Sequence, residues 1–172
     1  MQISKAIRDA LKAQLSAGTT GFNDRLAAIA ATYDIEPWTV DWTRDSTNFI
    51  FGRVSPQAFE ESSVFTYPLV TIDTMRAQNT NRVKFATFAG QVVAVIDVHH
   101  SWPEGSVLAD FASLVDATED AIIATLNDQD TQVWPPGVLW AGRVSVERGR
   151  IAMGGLGWIQ TATFVCTFEL QV

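Results

Sequence analysis

The two histidines of the chain stand side by side in VVAVIDVHHSWPEGS, the stretch from Val92 to Ser106. Asp97 lies two residues before the first, and Glu104 follows the second. Imidazole and carboxylate together can hold a metal ion or move a proton, because the carboxylate orients the ring and tunes its charge. Strand geometry limits which of these is open. Successive side chains of an extended strand alternate in face, so Val93, Val95, Asp97 and His99 share one side. Val92, Ala94, Ile96, Val98 and His100 share the other. The adjacent imidazoles then point apart and can bind one metal together only across a bulge. Asp97 and His99 remain as an i, i+2 acid–base pair, and a metal there needs a further ligand from elsewhere. The plainer expectation is a strand end with both histidines near the surface. Ser101 and Glu104 have the spacing of a helix capping box, and Ser106 is a rival cap.

Other residue types offer less chemistry. The glycine-rich GGLG at 154–157 precedes a strand, whereas a phosphate loop leads into a helix, so it reads as a turn. Ser101 and Ser106 lack the strand–turn–helix context of a nucleophile. Asp73 is an isolated strand acid. Asp110, Asp116, Glu119 and Asp120 read as the solvated face of a helix. The single cysteine, Cys166, excludes an internal disulfide and sits in an apolar alternation, as a small core residue would. The expectation is therefore no catalytic residue, no cofactor and no metal.

The elements that would position these residues follow from periodicity. Ile3, Ile7, Leu11 and Leu15 recur every four residues, opposite Lys5, Arg8, Asp9 and Lys12, which predicts an amphipathic helix. SAGTTG breaks it, and Thr20 can cap a second helix carrying Phe22, Leu26, Ile29 and Tyr33, stopped near Pro37. NFIFGRV and LVTIDTMR read as strands, SPQAFEESSVFTYP as a long polar loop, and AQNTNR as a polar tip. VKFATFAGQVVAVIDVHH gives one long strand or two. Leu108, Phe111, Val115, Ile122 and Leu126 form the stripe of a third helix. VLWAGRVSVERG is a strand. In the last segment Ala162, Phe164, Cys166, Phe168, Leu170 and Val172 alternate with a mostly polar set, so a strand with one buried face closes the chain. The order helix, helix, strands, helix, strands predicts α+β: a mostly antiparallel sheet with helices packed on one face, in a single domain over 1–172.

Composition bounds the function. A net charge of −7, with the basic residues scattered, argues against a protein that grips nucleic acid by its phosphates. It suits a surface past which a polyanion slides without sticking. No secretory signal or apolar run long enough to span a membrane is expected. The six tryptophans are many for 172 residues, and Trp is favoured at interfaces. Trp38, Trp42, Trp134 and Trp140 lie in or beside less regular segments and are candidates for a partner surface. Phe59 and Phe65 are candidate anchors in the polar loop.

The layout resembles that of the tail-terminator and tail-completion (neck) proteins of long-tailed bacteriophages. An amphipathic N-terminal helix leads to YPLVTIDT, then to the long strand GQVVAVIDVHH. The helix GSVLADFASLVDATEDAIIATLN follows, and a polar-alternating strand ends the chain. The segment 35–66 has no counterpart in that layout. The resemblance implies an α+β fold, a ring of identical subunits (commonly six) and no catalysis. It further implies a tail-tube protein and the head–tail connector or neck proteins as partners, with genomic DNA passing through the lumen without specific binding. Its place would be the virion, reached from the host cytoplasm during assembly, and no membrane is involved. The alternatives are another virion component (tail-tube, baseplate or head-completion protein), or a small metal or acid–base enzyme centred on Asp97 and His99.

Overall fold

The computed structural model describes residues 3–53, 64–79, 90–103, 107–128, 134–154 and 157–170. Helix α1 (Ile3–Leu15) and helix α2 (Phe22–Tyr33) come first, then strand β1 (Phe49–Phe51), β2 (Leu69–Asn79) and β3 (Gly90–Trp102). Helix α3 (Leu108–Leu126) precedes β4 (Val138–Arg148), β5 (Ala152–Gly154) and β6 (Gly157–Leu170). The six strands among the described residues form one open sheet in the order β1-β2-β3-β6-β4, with β5 also on β6. Every pairing is antiparallel except that of β1 with β2. The fold is α+β, with a mixed, mostly antiparallel sheet.

The core lies between the sheet and the helices. Val92, Ala94, Ile96 and Val98 of β3 meet Ala162, Phe164, Cys166 and Phe168 of β6 on the inner face. Ile7, Leu11 and Leu15 of α1, Phe22 and Leu26 of α2, and Ile122 and Leu126 of α3 cover them. Period two on the strands and a four-residue period on α1 both bring one apolar face to this plane. Two polar ties link the helices: Gln14 Nε2 donates to the Thr125 carbonyl at 3.0 Å, and Arg25 pairs with Asp128. The segment between α2 and β1 is held by Asn23, which bonds Val40 through both its amide oxygen (2.9 Å) and its amide nitrogen (3.0 Å).

Several local expectations are corrected. Gly21, not Thr20, is the N-cap of α2, and no side chain caps it. A Cβ at Gly21 would sit 1.9 Å from the Ala17 carbonyl oxygen, so the tight turn out of α1 admits only glycine there. The Thr20 carbonyl instead accepts from Arg25 Nε at 2.8 Å. Ser101 is a residue of β3 and caps nothing; α3 starts from Val107 without a side-chain cap. Glu104 and Ser106 lie outside the described residues. Ala77–Asn79 continue β2 as strand rather than opening the polar tip, and the rest of that tip, 80–82, lies outside the described residues. A register shift between Trp140 and Val144, with Gly142 at φ 66°, puts a bulge in edge strand β4.

Candidate functional site

The end of β3 carries Asp97 and His99, the acid–base pair expected from the sequence, and the two histidines do lie on opposite faces. Both are buried, at 6% exposure for His99 and 1% for His100, which corrects the expectation of surface positions. The reason lies in the register. Asp97, His99 and His100 pair with Thr163, Thr161 and Gln160 of β6, so this end of β3 is interior to the sheet rather than frayed.

On the outer face Asp97 is 4% exposed and its carboxylate is already engaged. Thr163 Oγ1 donates to Oδ1 at 2.6 Å, and Arg53 Nε donates to Oδ2 at 3.1 Å. The Nδ1 of His99 bonds Thr161 Oγ1 at 2.9 Å. The carboxylate thus holds a guanidinium and a hydroxyl, and the imidazole's Nδ1 faces a hydroxyl on the neighbouring strand. Burial pushes the His99 pKa down to about 4; the Asp97 charge opposes this and Arg53 adds to it. A neutral ring beside a spoken-for carboxylate is poorly arranged for an acid–base relay, in which the carboxylate should orient the imidazole.

On the inner face His100 sits between aromatic rings. Trp38 and Phe111 meet it edge-on, with centroids 6.3 and 6.1 Å away. Among the described residues neither ring nitrogen has a hydrogen-bond partner. Burial, then the neighbouring His99 and Arg148, lower its pKa to about 3. It behaves as a flat aromatic filler. The alternation that runs from Val92 through Val98 to His100 already pointed it inward. Among the described residues no three His, Cys, Asp or Glu side chains converge as a metal-binding group.

The remaining candidates fall into place around this. Cys166 is buried and its thiol is pushed up to about 12, as an inert core sulfur should be. Asp73 accepts from Arg8 at 3.3 Å. Gly154 and Gly157 pair across the β5–β6 hairpin, where GGLG joins two strands. Trp38, Trp42, Trp134 and Trp140 are all half-buried and pack against the core. Trp38 meets Phe22 at a tilt and Trp42 meets it edge-on, and Trp134 and Trp140 surround Phe168 at 5.1 and 5.0 Å. Phe65 is half-buried; Phe59 lies outside the described residues.

One constellation was not singled out from sequence. Arg148 on β4 donates to both oxygens of Glu119, at 2.6 and 2.7 Å, and also pairs with Asp116. Its pKa is raised, chiefly by the Glu119 hydrogen bonds. Glu119 is 8% exposed, so it does not belong to the solvated face of α3, although Asp110, Asp116 and Asp120 do. The signal was in the spacing: Glu119 falls on the same stripe as Val115, Ile122 and Leu126. Arg148, Glu119 and Asp116, with Tyr33, Ser113 and Asp120, line a surface groove of about 340 Å³. No protein-family model matches the chain, and no curated protein matches it.

Proposed function

We propose that the chain is a structural virion protein of a long-tailed bacteriophage, a ring of identical subunits that ends the tail tube and joins it to the neck. It works by shape rather than by reaction. The observation that carries this reading is the outer face of the sheet, on which no described helix packs. Over β6 and β4 it presents half-exposed Thr161, Thr163 and Thr167 beside exposed Ser145, Glu147 and Glu169. Binding DNA by its phosphates requires Lys and Arg that release counterions. The outer face also carries Arg53, but its guanidinium is held by Asp97, and the hydroxyls and carboxylates over β6 and β4 suit a lumen through which DNA passes without being held. The two sheet edges also differ, a three-residue β1 on one side and a bulged eleven-residue β4 on the other. Dissimilar edges favour head-to-tail contacts, which build a ring when the rotation between copies closes.

The partners are then further copies of the chain, the tail-tube protein and the neck proteins, in the virion. Six copies are the number the family resemblance implies. Deleting the gene from its phage should leave tails of irregular length that do not join heads, and labelling should find the chain at the head–tail junction. Normal tails joined to heads in the deletion would overturn the reading.

A further inference from the structure

We propose that neighbouring subunits meet through one charged contact, in which Lys12 and Phe51 of one copy dock against Asp120 and Tyr33 of the next. This assignment rests on the ring proposed above and names its two surfaces. Lys12 lies over the rings of Phe49 and Phe51, with Nζ 5.3 and 5.9 Å from their centroids. Among the described residues it has no carboxylate partner, whereas Lys5 pairs with Asp9 and Arg8 with Asp73. Phe51 is 43% exposed on the edge strand beneath it. This surface is therefore a cation resting on an exposed aromatic ring at the β1 edge.

The opposite edge offers the complement. In the groove beside β4, Arg148 pairs with Glu119 and Asp116, and a third carboxylate, Asp120, lines the same groove. Asp120 is exposed and, among the described residues, has no cation against it. Tyr33, 63% exposed, forms the apolar wall next to it. The strand order places β1 and β4 at the two ends of the sheet, so the unpaired cation and the unpaired anion lie on opposite flanks. A contact between opposite flanks of successive copies is heterologous, the kind of contact that builds a ring when its rotation closes. An aromatic ring on each side lets the ion pair sit against apolar surface, where it is less screened than in open water.

The test uses the full chain, alone and on purified tail tubes, with association followed by sedimentation and native mass spectrometry. Lys12→Glu and Asp120→Lys should each weaken association about tenfold or more, because each sets like charges face to face. The two together should restore it, and circular dichroism should show all three variants folded. Rescue by the double reversal cannot come from a folding defect in either single one. Single reversals that assemble as the unaltered chain does, or a double reversal that stays dissociated, overturn the contact and leave the ring standing. An unaltered chain that remains monomeric both alone and on tail tubes overturns the ring and the contact together.

Discussion

Arg148 of the edge strand β4 and Glu119 of α3 are joined by two parallel hydrogen bonds of 2.6 and 2.7 Å. A guanidinium matches a carboxylate in this fork geometry, and charge-assisted bonds of this kind are stronger than neutral ones. The pair ties the edge of the sheet to the helical layer, next to the half-buried Val144 and Val146 that back onto the core. The Arg148 side chain is 43% exposed and that of Glu119 only 11%, so water screens one partner and little reaches the other. Removing the arginine leaves the less exposed carboxylate without its cation.

Arg148→Ala should therefore cost about 1–3 kcal/mol, below the figure for a fully buried pair because solvent reaches the guanidinium. Urea unfolding measures it. Arg148→Lys should recover only part of the loss, since an ammonium cannot make both bonds in parallel. A lysine variant as stable as the original would show that charge alone, and not the fork, holds β4 in place.

The histidines make stability depend on pH in a defined window. Their folded pKa values, about 4 for His99 and about 3 for His100, lie below the unfolded value of 6.5. Between those limits the unfolded chain binds protons that the folded chain refuses, so stability rises with pH there. The contribution is complete above pH 6.5 and is lost as the pH falls towards 4 and then 3. Each imidazole adds a slope of about 1.4 kcal/mol per pH unit within its window. His100→Phe keeps a flat ring between Trp38 and Phe111 and removes one titration. Its stability curve should match the parent near pH 7 and fall less steeply from pH 6 to 4. Parallel curves across that range would show that His100 is accessible to protons in the folded state.

Much of this fold could be read from spacing, and the failures share a cause. The helix of Ile7, Leu11 and Leu15, and the strand of Phe164, Cys166 and Phe168, bury one face against a single plane, and a fixed period reports such a face directly. Thr20 and Ser101 were misread because capping depends on where the backbone turns. At Gly21 the deciding contact is a carbonyl oxygen four residues back that a Cβ would strike. Burial of His99 and His100 follows from pairing with β6, some sixty residues on, and a local pattern carries no register with a distant strand. Glu119 lay on the apolar stripe, but its partner Arg148 could be found only once β4 was placed beside α3. The exposure of the Trp side chains was likewise unreadable, since it depends on which loop covers which face.

The buried face of β6 should be far less tolerant than its outer face. Phe164 is fully buried and pairs with Ile96 on one side and Val146 on the other. Phe164→Ala should cost about 3–5 kcal/mol, from lost transfer energy and the cavity left behind. Against a total of about 5–15 kcal/mol for a typical domain, soluble yield should drop sharply. Val165→Thr, one residue on but facing outward among threonines, should change stability by less than about 1 kcal/mol. Equal melting temperatures for the two variants would mean that the face assignment of β6 is inverted.

The tryptophans differ in what their indole N–H groups do, and this gives a paired test. Trp38 donates from Nε1 to Thr118 Oγ1 at 3.1 Å, while that hydroxyl donates to the Leu114 carbonyl at 2.8 Å. Trp140 packs on Phe168 and Trp134, and its Nε1 is buried without an acceptor among the described residues. A buried donor left unpaired carries a desolvation cost that a paired one does not. Trp38→Phe loses a made hydrogen bond and strands a hydroxyl acceptor, so it should destabilise by about 1–2 kcal/mol beyond its lost ring area. Trp140→Phe loses similar ring area but also removes the unpaired donor, and the two effects partly cancel. The Trp140 variant should therefore unfold at a clearly higher urea concentration than the Trp38 variant. If it is the less stable of the two, the Nε1 of Trp140 has a partner in solution, and the aromatic cluster around Phe168 is arranged differently from the one described.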